Sequence, residues 1–469
     1  MELIMPNLIA ESKIPIYQQL YHFLKKEIQT GSIPCDTRLP SKRKLATYLG
    51  LSLNTIQAAY DQLIEEGYVT AQEKKGFFVC RLDQLQHLVL IPATPSASAA
   101  DQPIVAYDYS FHGVDMPTFP FTVWRRLMKE IINEYDSELL TPGDSLGYHR
   151  LRTAIATYLH QSRGVNCTER QVIISSGTEM LFQTLIQLFD QDAVYGIENP
   201  GYEKLNQLFS GNRASFCAIQ IDDCGMSPEY IQRCNANILC ITPAHQFPSG
   251  QIMPINRRIQ LLNWANQIPG RYLIEDDYDS EFKYSGKPIP ALQGLDSNEK
   301  VIYMGSLSKS LSPTLRVSYM VLPNHLMERY HKNLSYLLCP VPVFEQKVLC
   351  RFMEEGYFER HLNKMRNIYR RKREVLTEAL LKSRCPVKII GADAGLHLMV
   401  EVGNAMTEKE LISCALEQGI KVYGSSNYYY DKAFLPEHPA IILGYAMISE
   451  EEIISSVPRL VKAWFPERV

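Results

Sequence analysis

Apolar residues recur at helical spacing through the first 80 residues of the chain. Tyr17, Leu20, Leu24 and Ile28 form one face of a first predicted helix. Two further helices are predicted to begin at capping serines and to end at glycines, Ser41 to Gly50 and Ser52 to Gly67. The segment "YVTAQEKKGFFV" then places two apolar runs around a Lys-Lys-Gly turn, which predicts a β-hairpin. Two short helices followed by a hairpin are typical of a winged helix-turn-helix.

The apolar pattern changes after this domain. Residues 81 to 106 include "IPATPSASAADQP" and lack periodic apolar content, which predicts a linker. From residue 107, strand-like runs such as "QVIISSG", "RYLIEDD" and "VIYMGS" alternate with helical segments. This alternation predicts a mainly parallel sheet with helices on both faces. A smaller α+β subdomain is predicted from about residue 345 to residue 469. The predicted domains are therefore 1 to 80 and 107 to 469.

Composition and charge narrow the classes of function. The formal net charge of -3 argues against a surface that binds polyanions everywhere, so any nucleic-acid contact requires a local patch. The 11 cysteines include no CxxC pair and no Cys/His cluster at zinc spacing, so we expect free thiols, a reducing cytoplasm and no metal. The sequence has neither an export signal nor an apolar run of transmembrane length. We expect a cytoplasmic protein without a membrane partner.

A local basic patch does occur in the first domain. Between Thr37 and Tyr60 the charged residues are all basic, and the predicted hairpin adds two lysines at its tip. Such side chains neutralise phosphates, while polar residues at the start of a recognition helix reach base edges in the major groove. A solvated charged helix face is the alternative. Helix spacing and the hairpin together favour binding to double-stranded DNA.

The stretch from "YQQLYHFLKKEIQTG" to "AAYDQLIEEGYV" resembles the winged-helix domain of the GntR family of bacterial regulators, over roughly residues 13 to 80. One departure is Leu53, where that family usually has arginine. From the basic patch and this resemblance together, the expected DNA contacts are Arg38, Ser41, Lys42, Arg43, Ser52, Asn54, Thr55, Lys75 and Gly76.

In the second domain, polar residues follow several of the predicted strands. Ligands of open α/β sheets bind beyond the carboxyl ends of the strands. Pyridoxal 5'-phosphate needs an amine for a Schiff base, a carboxylate for its ring nitrogen and anion-binding groups for its phosphate. The residues after the predicted strands that could supply these groups are Gly177, Tyr202, Asp276, Tyr278, Ser306, Ser308, Lys309 and Arg316. A lone lysine is more often a solvated loop charge, and paired aspartates are more often a turn or cap.

The motifs "SSGTEMLFQTL", "NPGY", "TPAHQFPSGQIMP", "IEDDYDSEF" and "GSLSKSLSPTLRVSYMV" resemble those of fold-type I aminotransferases. They are closer still to the MocR/GabR regulators, which join a GntR-type winged helix to an aminotransferase-like domain. This resemblance implies that Lys309 bonds the cofactor covalently, Asp276 pairs with its ring nitrogen and Tyr278 contacts its ring oxygen. It also implies that Thr178 holds the phosphate together with Ser306, Ser308 and Arg316, and that His245 and Gln246 bind the cofactor from the loop beside its ring. It also implies a homodimer, head-to-tail and domain-swapped, that reads two operator half-sites.

Three positions depart from the family pattern. Thr314 stands where members usually have glycine. Asn427 stands where GabR-like proteins carry the arginine that holds a substrate carboxylate, and Lys204 replaces another arginine. Bidentate recognition of a carboxylate is a task for arginine, so a γ-aminobutyrate-like effector is disfavoured. We keep Lys204 and Asn427 as candidate effector residues.

The sequence thus favours a transcriptional regulator that binds pyridoxal phosphate and senses either the cofactor itself, as vitamin B6 regulators of the family do, or an amino acid that reacts with it. One alternative is a working aminotransferase with an accessory DNA-binding domain, which the missing arginine disfavours because transamination needs a positioned substrate. Another alternative is a structural domain that has lost its cofactor.

Overall fold

The computed structural model describes residues 8–9, 14–81, 105–133, 137–284 and 289–466. The chain divides into two units, Met1–Asp101 and Gln102–Val469. The division falls inside the segment predicted as a linker, residues 81 to 106. Residues 82 to 104 of that segment lie outside the described residues, so the predicted linker bounds stay a prediction.

The first unit contains a winged helix-turn-helix. Its elements are α1 (Ile16–Gln29), β1 (Arg38–Leu39), α2 (Lys42–Leu49), α3 (Leu53–Glu65), β2 (Val69–Gln72) and β3 (Gly76–Val79). The apolar faces of the three helices pack into one core that includes Leu24, Ile56 and Tyr60. Strands β2 and β3 form the predicted hairpin, and β1 pairs antiparallel with β3.

Side chains of the sequence itself fix the helix-turn-helix. Ser41 caps α2 by accepting a hydrogen bond from the Lys44 N–H, and Ser52 caps α3 in the same way from Thr55. Between the two helices Gly50 has a φ of 65°, a left-handed conformation that glycine adopts without steric cost. The predicted caps and the predicted glycine stop are confirmed.

The second unit begins with a large α/β part. Its elements are β4 (Tyr107–Asp108), α4 (Phe121–Asn133), α5 (His149–Arg163), β5 (Val172–Ser175), α6 (Thr178–Leu188), β6 (Val194–Asn199), α7 (Glu203–Gly211), β7 (Ser215–Asp222), β8 (Gly225–Met226), α8 (Pro228–Arg233), β9 (Ile238–Ile241), α9 (Ile255–Gln267), β10 (Tyr272–Asp277), β11 (Val301–Ser306), β12 (Ser318–Val321) and α10 (Asn324–Asn333).

An 8-stranded sheet organises this part, in the order β5-β12-β11-β10-β9-β6-β7-β8. Strands β7, β6, β9, β10 and β11 pair in parallel, while β12 runs antiparallel to both of its neighbours. The strands are apolar along most of their length because both faces of the sheet are covered, as parallel sheets require. The predicted fold class is confirmed.

A smaller α+β part completes the chain. Its elements are α11 (Val343–Glu354), α12 (Tyr357–Lys382), β13 (Val387–Ile390), β14 (His397–Val402), α13 (Glu408–Glu417), β15 (Ile420–Lys421), β16 (Tyr423–Gly424), β17 (Ala440–Gly444) and α14 (Glu450–Trp464). Strands β13, β14, β17 and β16 form an antiparallel sheet. The early strand β4 pairs with β15, so residues near Tyr107 also contact this part.

The expectation that all cysteines are free thiols is wrong for two of them. Cys217 on β7 and Cys234 just after α8 form a disulfide, with 6.7 Å between their Cα atoms, and the other nine are free. The fold brings β7 and the end of α8 together, whereas a sequence separation of 17 carries no recognisable signal.

Within the described ranges, no helix combines the length and the apolar character needed to cross a membrane.

Candidate cofactor site and candidate DNA interface

Most of the predicted cofactor-binding residues meet at the carboxyl edge of the large sheet. Asp276 is near the end of β10, Ser306 ends β11, and Gly177 lies between β5 and α6. Because β5, β10 and β11 point the same way, their ends open into one cavity of about 480 Å³. The predicted residues that line this cavity are Gly177, Thr178, Tyr202, Lys204, Asp276, Tyr278, Ser306, Ser308, Lys309 and Arg316.

Lys309 occupies the loop between β11 and β12. Its ammonium group donates a hydrogen bond to the carbonyl oxygen of Phe111. Burial lowers the pKa of Lys309 to about 8 because the charged form is poorly solvated there, although the carboxylate of Asp279 acts in the opposite direction. A larger fraction of this amine is therefore unprotonated at neutral pH than of an exposed lysine, which suits a nucleophile.

Asp276 has a carboxylate oxygen that is free to accept a hydrogen bond from a ligand. Its Oδ1 is buried and has no hydrogen-bond partner within the described residues. Burial, helped by the nearby charges of Asp277 and Glu198, raises the pKa of Asp276 to about 7. A protonated pyridine nitrogen would satisfy this oxygen and stabilise its charge, so the site fits the predicted cofactor.

The opposite end of the cavity is suited to an anion. Gly177 precedes α6 with a φ of 92°, and an added Cβ there would collide with the guanidinium of Arg316. The Ser306 hydroxyl donates to Ser308 Oγ at 2.9 Å, and both serines face the cavity. Helix N-terminus, guanidinium and hydroxyl groups are the donors that a phosphate needs. The Gly177, Ser306, Ser308 and Arg316 groups together have the chemistry to hold a phosphate, and we call them the phosphate cradle of the candidate site.

His245 lies behind the cavity wall. Its Nδ1 lies 2.9 Å from Asp279 Oδ2 and 3.0 Å from the hydroxyl oxygen of Tyr278. The buried carboxylate needs a donor, so Nδ1 carries the proton and donates it to Asp279. His245 therefore orients Asp279, which lines the cavity beside Tyr278, but is not itself part of the lining.

Gln246 is also absent from the cavity lining. Its side chain is 2% exposed and donates to the carbonyl oxygen of Pro200 at 2.9 Å, while Ser249 donates to its Oε1 at 2.6 Å. These bonds fix the loop after β9. The next residue, Phe247, faces the cavity in its place.

The cavity contains residues that sequence reasoning did not identify. They are Phe111, His112, Glu179, Thr242, Phe247, Asp279, Pro313, Leu396 and His397. Phe111 and His397 come from segments distant in the chain that the small α+β part brings to the site, and no local motif marks them. Glu179 and Asp279 lie inside two of the quoted motifs, "SSGTEMLFQTL" and "IEDDYDSEF". Their position beside Thr178 and Tyr278 was the sequence signal that could have identified them.

The candidate effector residues differ in position. The Nζ of Lys204 lies 3.6 Å from Glu179 Oε1, and Lys204 borders the cavity. Asn427 is exposed and is not among the lining residues, although the neighbouring Tyr428 packs against Phe247 with 4.9 Å between ring centroids. Among the described residues that line the cavity, Arg316 is the one arginine, and it lies at the phosphate end.

One group of described side chains has the spacing of a metal site. His245, Asp279 and His397 each place a potential ligand atom within 4.8 Å of the others. The His245 Nδ1 is already bonded to Asp279, and the His397 Nε2 lies 3.1 Å from the Pro248 carbonyl oxygen. Hydrogen bonds within the protein thus already engage one ring nitrogen of each histidine and the Asp279 carboxylate, and the expectation of no metal stays a prediction.

The predicted DNA contacts lie on the winged helix. Arg38, Ser41, Arg43, Ser52, Asn54 and Lys75 are exposed, and Thr55 and Gly76 are partly exposed. Ser41 and Ser52 sit at the N-termini of α2 and α3, where free backbone N–H groups attract phosphate. Arg38 lies against the turn of the wing, because a Cβ added to Gly76 would come within 3.1 Å of its Nε.

Lys42 is held more firmly than an ordinary surface lysine. Its Nζ lies 3.3 Å from Asp61 Oδ1 and 5.0 Å from the ring centroid of Phe77. The side chain thus ties α2 to α3 and to the wing. Of the predicted basic contacts, Arg43 is more accessible to a phosphate than Lys42.

Comparison with known proteins matches both units. Residues 16–79 match the model of bacterial regulatory proteins of the gntR family, and residues 110–438 match that of aminotransferase class I and II. The chain is 40% identical, over 98% of its length and 99% of the relative, to YdeL of Bacillus subtilis, an uncharacterized HTH-type transcriptional regulator.

Two further relatives carry more informative names. The probable rhizopine catabolism regulatory protein MocR of Rhizobium meliloti is 31% identical over 97% of this chain and 94% of the relative. The pyridoxine biosynthesis regulator PdxR of Corynebacterium glutamicum is 28% identical over 88% of each. A solved structure, kynurenine aminotransferase of Pyrococcus horikoshii in complex with PMP, superposes with a TM-score of 0.69 at 25% identity, covering 78% of this chain and 92% of that one.

Proposed function

Because the chain belongs to the MocR-type regulators, in which a GntR-family DNA-binding domain is fused to an aminotransferase class I/II domain, we propose that it is a transcriptional regulator whose effector is pyridoxal 5'-phosphate itself. The regulator class and the binding of the cofactor follow from the family. The identity of the effector is the new element of the proposal.

The observation that supports the proposal is the contrast between the groups available for the cofactor and those available for a second carboxylate. For the cofactor, the cavity has the amine of Lys309, the unsatisfied oxygen of Asp276 and the phosphate cradle with Arg316. For a second carboxylate, Asn427 is exposed and outside the cavity lining, and Lys204 is paired with Glu179. The site is thus built for the cofactor and poorly built for a second carboxylate.

When bound, pyridoxal phosphate supplies an aldehyde that reacts with an amine and a ring that withdraws electrons. Lys309 would present the amine, Asp276 would pair with the protonated ring nitrogen, and Tyr278, whose hydroxyl oxygen lies 3.0 Å from His245 Nδ1, would contact the ring oxygen. For regulation, the filled and the empty protein must differ in their affinity for operator DNA by a coupling free energy.

The relative PdxR, named for pyridoxine biosynthesis, supports an output on vitamin B6 genes; control of amino-acid genes is the other option that the family offers. A regulator that binds operator DNA must reach the chromosome, which supports a location in the bacterial cytoplasm. A homodimer with exchanged DNA-binding domains, which the family resemblance implies, is the expected assembly, and sedimentation of the full chain with and without operator DNA would test it.

The deciding experiment measures binding of the full-length protein to the DNA upstream of its own gene. The protein is assayed without cofactor, with pyridoxal phosphate, and with the cofactor plus a panel of amino acids. We expect the cofactor alone to change the affinity and the amino acids to add nothing. An amino acid that is required for the change would replace the cofactor as the effector, and Lys309→Ala serves as the control that lacks the reactive amine.

A working aminotransferase is the second candidate, because the cavity retains the groups that such an enzyme uses and a solved aminotransferase superposes on this domain. Its test is amino transfer from a panel of amino acids to a keto acid. Many turnovers per site at an ordinary enzymatic rate would favour the enzyme, whereas less than one turnover favours the sensor.

A further inference from the structure

Glu179 occupies the phosphate cradle of the candidate site. It lies in the first turn of α6, and its Oε2 accepts a hydrogen bond from Arg316 Nη2 at 2.9 Å. The space beside Gly177 shows how close the groups are, since an added Cβ there would meet Glu179 Oε2 at 2.7 Å as well as the guanidinium. The carboxylate therefore fills the space in which the helix N-terminus and Arg316 converge.

The carboxyl group of Glu179 is ionised at neutral pH. Partial burial alone would raise its pKa. The hydrogen bond that the carboxylate accepts from the backbone N–H of Glu179 itself, the hydrogen bond from Arg316 and the charges of Arg316 and Lys204 outweigh burial and hold the pKa below its ordinary value. An ionised carboxylate in a phosphate site repels a phosphate dianion or competes with it for the same cation.

We propose that Glu179 is a built-in anionic competitor for the phosphate of the cofactor. This proposal rests on the proposed function, because only a protein that senses free pyridoxal phosphate benefits from binding the cofactor more weakly. Filling the site requires the phosphate to take Arg316 from Glu179, so half-saturation shifts to a higher concentration of the cofactor than the cradle alone would give.

Lys204 gives the displaced carboxylate a second partner. Its Nζ lies 3.6 Å from Glu179 Oε1, on the side of the carboxyl group opposite the oxygen that contacts Arg316. When the phosphate takes Arg316, Glu179 keeps Lys204. Lys204 is then neutralised by an internal partner and is unsuited to bind the carboxylate of an amino acid, which agrees with a cofactor effector.

The test is an equilibrium titration of the full-length protein with pyridoxal phosphate, followed by the visible absorption of the bound cofactor. Glu179→Gln should lower the dissociation constant about fivefold, the size expected for one partly exposed ion pair. Inorganic phosphate should compete with the cofactor more strongly in this variant, by a similar factor. Glu203→Gln is the matched control, because Glu203 is also a carboxylate in the first turn of a helix, α7. We expect this change to leave the dissociation constant of the cofactor unchanged.

A double-mutant cycle with Lys204→Gln separates the two partners. In the wild-type background this change should weaken cofactor binding, because the displaced Glu179 loses its remaining cation. In the Glu179→Gln background the same change should have a smaller effect. Equal effects in both backgrounds would overturn the exchange of partners.

The outcomes distinguish the inference from the proposed function. Unchanged or weaker cofactor binding by Glu179→Gln would mean that Glu179 positions Arg316, and the inference would be wrong while the sensor remained. If neither the wild type nor the variant takes up pyridoxal phosphate, the proposed function itself fails. Should Glu179→Gln fold poorly, Glu179→Ala tests the same charge with the same expected direction.

Discussion

Asp276 and Asp277 are neighbours on β10 whose carboxyl groups serve opposite faces of the sheet, because successive side chains of a strand alternate. Asp276 faces the cavity and has an unsatisfied oxygen. Asp277 accepts hydrogen bonds from Arg163 Nε at 2.8 Å and from the Tyr303 hydroxyl at 2.6 Å. The first residue is available for a ligand, while the second compensates a buried cation.

We therefore expect opposite results from the two Asp→Asn changes. Asp277→Asn leaves the buried charge of Arg163 uncompensated and should lower the free energy of unfolding by about 3 kcal/mol. Asp276→Asn should change stability by less than about 1 kcal/mol, since it removes a carboxyl group that already has like charges around it, but it should weaken cofactor binding. Urea unfolding and cofactor titration of both variants would check this; equal loss of stability would contradict it.

The pKa of Lys309 gives a second prediction at the residue scale. Burial lowers it to about 8, so about a tenth of the amine is unprotonated at pH 7. The rate of covalent cofactor uptake should rise about fivefold between pH 7 and pH 8, about twofold more between pH 8 and pH 9, and level off above pH 9. Stopped-flow absorbance from pH 6.5 to 10 would measure the profile. A rate that keeps rising to pH 10 would show that the amine has an ordinary pKa.

The cavity residues that the sequence predicted are those that a local motif marks. Lys309 and Asp276 each follow an apolar run, and a strand end is where an α/β sheet binds its ligand. Phe111 and His397 could not be found in this way, because they reach the cavity through the packing of the small α+β part. His245 and Gln246 were identified as part of the right loop, but the loop turns Phe247 toward the cavity instead.

At the scale of elements, helix caps were the most predictable feature of the winged helix. A serine that accepts a backbone N–H has a defined position relative to the first turn, so Ser41 and Ser52 fixed the starts of α2 and α3. Pairing of β4 with β15 was not predictable, since two-residue strands have no periodic apolar pattern.

The cap of α3 separates stability from DNA binding. Aspartate caps a helix as well as serine does and favours the positive end of its dipole, so Ser52→Asp should fold with unchanged stability. Its charge would face the DNA backbone, and we expect operator binding to fall at least tenfold. Ser52→Ala should instead cost about 1 kcal/mol of stability.

Melting curves and fluorescence anisotropy at constant salt would measure the two effects. Ser52→Asn, which caps the same helix without adding a charge, is the matched control and should leave stability unchanged and lower operator binding far less. Normal DNA binding by Ser52→Asp would place the DNA interface elsewhere.

At the scale of the whole molecule, cofactor binding and operator binding must be energetically coupled for the protein to act as a sensor. The coupling is reciprocal: if the cofactor changes operator affinity by some factor, operator DNA changes cofactor affinity by the same factor. We expect equal factors from two independent titrations, one of DNA at fixed cofactor and one of cofactor at fixed DNA. If saturating operator DNA left the cofactor affinity unchanged while the cofactor changed the operator affinity, the change in operator binding would have another origin.

The sequence predicted the order of the domains but not the energy that couples them. Order follows from composition and periodicity along the chain, whereas coupling depends on contacts that differ between two states of the folded protein. The Cys217–Cys234 disulfide is a similar case, because tertiary packing alone brings its two elements together.

The loop between β11 and β12 is closed at its base by the antiparallel pairing of Ser306 with Ser318. Lys309 and Arg316 both lie within this loop, one for the amine and one for the phosphate cradle. The number of residues in the loop therefore sets the spacing between two groups that we propose contact the same small molecule. Over evolution, this loop should tolerate substitutions more readily than insertions or deletions. An alignment of relatives that sense the cofactor should show a constant loop length.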